Sequence, residues 1–273
     1  MFKSIHDNVW AFDIEWVPDA VAGRKIYDLP ETLSEKEVWE AMWREAGGDS
    51  ENPRPFLKTA LCRIVSIAAV VRKVADGRSK LLLMSLPDNL TNSREPNEAS
   101  IIQRFLDGVG RGRPQLVGYN SINADVKILI QRGVANGITA PGFSKRPNKP
   151  WEGFDYFSKA SEGHVDLSNI VGGWGKSMPS LNEMATISGI PGKLDISGAD
   201  VADKWLDGKL EQIVQYNEFD ALTTYLLWLR LAYFGGHFDD EEFGQEQQLV
   251  RDLLLENVTK KPHLQTYIDS WIL

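Results

Sequence analysis

Short apolar runs and longer amphipathic stretches alternate along this chain, a pattern of strands interleaved with helices. Asn8 to Val17 is apolar except for a few polar residues, among them Asp13 and Glu15. It is rich in Val, Trp, Phe and Ile, which predicts a buried strand ended by Pro18 and Asp19. Glu31 to Ala46 reads as a helix, because Trp39, Met42 and Trp43 recur at helical spacing on one apolar face. Gly47 to Pro55 reads as a loop. Arg63 to Lys73 and Lys80 to Leu86 read as two more strands, with Asp76-Gly77 as the hairpin turn between them. Glu98 to Val109 is an amphipathic helix, Gln115 to Tyr119 a short strand, and Ala124 to Gly133 a helix that follows it at once. Such strand-to-helix junctions commonly carry sites.

Gly137 to Gly163, rich in Gly, Pro, Lys and aromatics, predicts a long functional loop. His164 to Leu167 reads as a strand. Ser180 with Glu183 forms a capping box that opens a helix over Ser180 to Ser188. Gly189 to Gly198 reads as a loop. Lys209 to Phe234 is a long helix stopped by Gly235-Gly236, Asp239 to Asn257 is a further helix, and the remainder is a tail. The expected fold class is α/β, a mixed five-stranded sheet flanked by helices. The first domain spans 1–235, with a helical insertion at 20–57, and a helical C-terminal extension spans 236–273.

The 273 residues carry a net charge of −8, which argues against coating long nucleic acid by bulk electrostatics. Gripping one strand end stays open, because bound metal ions reverse a local field. Cys62 stands alone, so no intrachain disulfide forms and a reducing cytoplasm is the expected location. Met1 to Trp10 lacks an apolar core of signal-peptide length, and Ile64 to Val71 is too short to span a bilayer, so a soluble protein is expected.

Asp-x-Glu occurs four times, and only Asp13/Glu15 lies inside an apolar strand. Residues i and i+2 of a strand share a face. Two desolvated carboxylates there repel each other, and a divalent cation relieves both burdens. Asn120 closes a strand and Asp125 sits in the first turn of the next helix. Helix capping by Asn120 and the helix dipole acting on Asp125 account for both without function. Tyr216 and Asp220 share one face of the long helix beside a strongly apolar stretch.

Taken together, these residues resemble the DEDD superfamily of 3′–5′ exonucleases, with a ribonuclease H-like fold. Phe12-Asp-Ile-Glu15 is similar to the first exonuclease motif, Leu116-Val-Gly-Tyr-Asn120 through Asp125 to the second, and Tyr216-Asn-Glu-Phe-Asp220 to the third in its tyrosine variant. The histidine variant needs His where Gln215 stands. His164-Val-Asp-Leu167, Ser180-Leu-Asn-Glu-Met-Ala185 and Gly189-Ile-Pro-Gly-Lys193 add to a resemblance to stand-alone relatives of the proofreading domain of family B DNA polymerases. Two positions depart from that pattern: Trp16 replaces the usual Thr or Ser, and Ala124 the usual Phe.

The resemblance implies that Asp13 bridges two divalent cations, Mg or Mn. Glu15 and Asp220 complete the tighter site, and Asp125 holds the second ion through water. Tyr216 orients the attacking water, and Asn120 positions the last nucleotide. It implies release of nucleoside 5′-monophosphates from single-stranded 3′ ends, DNA favoured over RNA. An exoribonuclease, or a module that binds nucleic acid without cutting, is the alternative. Trp16 is a candidate for stacking on the terminal nucleotide. Lys145 and Arg146, interleaved with aromatics in the long loop, are candidates for contacting a single strand. Lys193 is a further phosphate-contact candidate, Asp166 reads as a structural acid, and His164 as packing.

Overall fold

The computed structural model describes residues 2–90, 97–149, 152–158, 161–173, 177–192 and 198–271. Five strands form one mixed sheet: β1 (Asn8–Pro18), β2 (Cys62–Ala75), β3 (Arg78–Leu86), β4 (Gln115–Gly118) and β5 (His164–Asp166), in the order β3-β2-β1-β4-β5. β1, β2 and β3 are antiparallel neighbours, while β4 and β5 run parallel to β1. Asp76 and Gly77 both take positive φ between β2 and β3, as an Asp-Gly hairpin turn requires. This is the sheet expected from the sequence and from the ribonuclease H-like resemblance.

β1 is central, and its two faces diverge. Trp10, Phe12 and Ile14 pack into one core with α3 (Glu98–Gly112) and α4 (Asp125–Ala135). Val9 and Ala11 join a second core under the long helix α9 (Leu210–Phe234). Alternation along the strand therefore aims Asp13 and Glu15 to the α9 side. A register shift between Glu15 and Trp16 then re-aims the strand end, a usual effect of a bulge.

The helical excursion after β1 differs from expectation. It holds two helices, α1 (Ala20–Tyr27) and α2 (Glu35–Glu45), not one from Glu31. Asp19 ends the strand and also caps α1, accepting from Val21 N at 2.9 Å and Ala22 N at 3.1 Å. Ser34 and Glu37 make the capping box that starts α2. Gly23 lets the two helices touch, since a Cβ there would lie 2.5 Å from Met42 Sδ. Trp39, Met42 and Trp43 then build a third core with Trp205 of α8 (Val201–Leu206) and with Ile213 and Tyr216 of α9.

The long loop carries a short helix, α5 (Pro141–Ser144), and is not free of the core: Phe143 stacks on Tyr156 at 5.4 Å and meets Phe157 edge-on at 5.2 Å. The short helix α6 (Leu167–Val171) follows β5, and α7 (Leu181–Ile187) opens with the expected Ser180/Glu183 capping box. After α10 (Asp240–Asn257) the expected tail is instead helix α11 (Leu264–Ser270), docked on α9. Its Tyr267 is fully buried, stacks on Phe219 at 5.5 Å and shares a 3.0 Å hydrogen bond with Thr223. No helix among the described residues is long and apolar enough to cross a membrane.

Candidate active site

The end of β1, the loop after β4 and the middle of α9 converge on one cavity of about 600 Å³. Asp13, Glu15, Asp125 and Asp220 all line it. Carboxylate oxygens of Asp13, Glu15 and Asp220 lie within 4.8 Å of one another. Asp125 is buried beside them at the first turn of α4. Residues more than two hundred positions apart are thus brought together as the motif order anticipates.

The acids of the cluster are crowded and desolvated. Burial, then the charges of Asp125, Asp220 and Glu15, push the Asp13 carboxyl well above its ordinary range. Glu15 is raised by burial and by Asp220 and Asp125. Asp125 is pushed up to about 7, chiefly by burial, with Asp166 and Asp220 adding and backbone hydrogen bonds at Asp125 and Ile14 opposing. Every side-chain charge that raises these groups is negative. Hard divalent cations take several carboxylate oxygens and would remove the repulsion. The donor set therefore fits a hard divalent cation.

Tyr216 is buried, and its hydroxyl hydrogen-bonds Asp220. Burial, then Asp220 and Glu15, push the phenol strongly upward, so it stays protonated. It does not line the cavity of the acids. It faces a smaller one of about 190 Å³ with Ser180, Asn182 and Thr223, and Asp220 lines both.

Asn120 lines the main cavity in a left-handed conformation, φ 58°. It does not cap α4, whose N-cap is Ala124 without a side-chain bond. Asp166 holds the turn: its carboxylate accepts from Asn120 N at 2.8 Å, Ile122 N at 2.9 Å and Ser168 N at 3.0 Å. That is the structural role expected of it. His164 is packed against Phe12 and bonded to Ser121 at 2.8 Å, and burial pushes its imidazole down to about 4.

Trp16 and Ala124 both line the cavity. Lys145 and Arg146 do not; Lys145 is exposed and Arg146 pairs at 3.0 Å with the buried Asp155. Lys193 lies outside the described residues. A wider cavity of about 880 Å³ runs along β3, but its acids are already engaged, Asp88 by Arg104 at 2.6 Å and Asp107 by Gln103 at 2.8 Å.

Two residues at the site were not singled out in the sequence, although Asn217 lies within the third motif stretch. Asn217, fully buried, donates its side-chain amide to Asp13 Oδ2 at 3.3 Å. A lone Asn in an apolar helix, next to Tyr216, was the available hint. Phe56, in the loop before β2, lines the cavity with its ring wholly exposed.

The sheet and the order of the acids along it define a DEDD-type exonuclease fold. Over residues 54–271 the chain matches the family described as predicted 3′-5′ exonucleases related to the exonuclease domain of PolB, and it belongs to that family. Asn120, Asp125, Tyr216 and Asp220 fall inside the matched span, and Asp13 and Glu15 precede it. Among solved structures, the family B DNA polymerase of the hyperthermophilic archaeon Pyrobaculum calidifontis is similar, with a TM-score of 0.49 and 20% identity. The likeness covers 84% of this chain and 25% of the polymerase, so the chain spans about a quarter of that protein's length. No curated protein matches the chain.

Proposed function

We propose that this protein is a metal-dependent 3′–5′ exonuclease that releases nucleoside 5′-monophosphates from single-stranded 3′ ends, preferring DNA to RNA. The observation that carries the reading is the approach of Asp13, Glu15 and Asp220 to within 4.8 Å, with Asp125 buried alongside. Asp13, Glu15, Asp125 and Asp220 would hold two divalent ions, Mg²⁺ or Mn²⁺. When bound, the ions supply charge neutralisation at the phosphate and stabilise the attacking and leaving oxygens of an in-line displacement.

The remaining work falls to the chain. Asn217 fixes the carboxylate of Asp13. Tyr216, held protonated, is a donor that orients Asp220 and a water rather than a base. Asn120, set by Asp166, presents its side chain to the terminal nucleotide. We assign residues 1–235 to the exonuclease unit and 236–273 to an extension that braces α9. We place the protein in a reducing cytoplasm, which suits its buried thiol at Cys62.

The test compares matched single-stranded DNA and RNA in Mn²⁺, Mg²⁺ and chelator, with the products identified by chromatography. Nucleoside 5′-monophosphates, released faster from DNA and not at all in chelator, are expected. Dinucleotide products, or undiminished release in chelator, would overturn the reading.

A further inference from the structure

Phe56 is a chemical anomaly. Single exposed apolar residues are ordinary. A phenyl ring that buries none of its surface, at 100% exposure, within a fixed loop is not. Arg54, two residues before it, makes two bonds to Asp203 at 2.8 and 2.9 Å and lies 5.0 Å over the Trp43 ring. Leu57, directly after it, packs against two of the cores. Asp49 ties the start of the loop through Glu51 N at 2.9 Å and Asn52 N at 2.7 Å. The backbone is pinned on both sides while the ring is held out in water.

The ring stands at the cavity that contains the acids. The lining of that cavity combines the carboxylate cluster with apolar residues, among them Trp16, Pro18, Phe56 and Leu57. A nucleotide with its scissile phosphate at the acids carries its base toward such apolar residues. On the α4 side the lining residue is Ala124, whose methyl offers no face to a base. Of the aromatic residues that line the cavity, Trp43 is covered by Arg54, Tyr119 is tied to the Pro179 carbonyl and Trp16 is half-buried, whereas Phe56 presents a fully exposed ring.

We propose that Phe56 is the residue on which the 3′-terminal base stacks. The inference rests on the exonuclease reading above and assigns the stacking contact to Phe56 in place of the candidate Trp16. Every base has a π face, so stacking accepts all four without reading sequence. That suits an enzyme that must remove whichever nucleotide comes last. Trp16 stays in the wall of the cavity, half-buried against the core.

The test uses the full chain and a single-stranded DNA whose 3′-terminal base is 2-aminopurine, a fluorophore quenched by stacking. Binding is followed by stopped flow in Mn²⁺, before cleavage, and a 5′-labelled copy reports cutting. Wild type quenches the terminal fluorophore. Phe56→Ala, which removes no buried contact, loses the quench and raises Kd by roughly 5- to 150-fold, the range for one base–aromatic stack. Phe56→Trp retains both. A strand with an abasic 3′ terminus binds wild type and Phe56→Ala equally. If wild type binds and cuts while Phe56→Ala shows the same Kd and the same terminal quench, this inference alone is overturned. If wild type neither binds nor cuts, it falls together with the exonuclease reading.

Discussion

Asn217 reaches across the core to donate its side-chain amide to Oδ2 of Asp13, 3.3 Å away. The two residues lie 204 positions apart, on α9 and β1. Burial and the charges of Asp125, Asp220 and Glu15 all press on Asp13, and this hydrogen bond gives one oxygen of its carboxylate a partner. Residues that orient a metal ligand typically matter about 10–100-fold in metal affinity or activity. Asn217→Ala is therefore expected to weaken Mn²⁺ binding by about that factor, read by calorimetric titration. Unchanged Mn²⁺ affinity in a folded variant contradicts the assignment.

Tyr216 gives a different pattern. On the proposed reading its hydroxyl acts through Asp220 and water, and burial beside Asp220 keeps the phenol protonated. Tyr216→Phe keeps the ring in its apolar seat and removes only the donor. We expect kcat to fall by up to roughly 100-fold, the low end for groups that manage a proton, with Mn²⁺ affinity close to wild type. Steady-state kinetics beside the calorimetry checks this. A kcat equal to that of wild type would remove Tyr216 from the machinery.

The raised carboxyl groups make a prediction for the metal-free protein. Asp13, Glu15 and Asp125 bind protons more tightly folded than unfolded. The stability this supplies is complete below the ordinary carboxylate range and is lost as pH rises through the folded values. For Asp125 that window runs from 3.8 to about 7. In chelator, Tm should fall as pH climbs through this window. Metal requires the deprotonated acids, so the Tm gained with Mn²⁺ should widen between about pH 5 and pH 8. A gain independent of pH argues that the ion binds elsewhere.

Much of this site was legible because charge inside an apolar strand is anomalous. Asp13 and Glu15 stand out against Trp10, Phe12 and Ile14, and the later acids follow in motif order. Asn217 had no such contrast, since one Asn on a helix has no periodic signature. Phe56 reads as an ordinary loop residue until its exposure and neighbours are known. Helix α1 was hidden because Asp19, its cap, also ends a strand, and because its packing on α2 depends on the close approach that Gly23 allows to Met42. Helix α11 was hidden because its partners are remote in sequence. Glu218 and Thr223 meet Lys261, His263 and Tyr267 across 43, 45 and 44 positions. Local pattern carries none of that information.

The same packing makes the C-terminal helix a stability element. Tyr267 is fully buried between Phe219 and Thr223. Tyr267→Ala opens a cavity and leaves the Thr223 hydroxyl with one partner fewer. It should cost roughly 3–5 kcal/mol of unfolding free energy in urea titration. A cost under about 0.5 kcal/mol, the scale of a surface substitution, would mean the helix is only loosely docked.

The most direct measurement is a 5′-labelled single-stranded DNA incubated in Mn²⁺ with wild type and with Asp13→Asn, each repeated in chelator. The account predicts a ladder shortening from the 3′ end for wild type in Mn²⁺, and an intact strand in the other three lanes. A wild-type lane without a ladder, or an Asp13→Asn lane with the same ladder as wild type, would contradict the claim that these acids form an exonuclease centre.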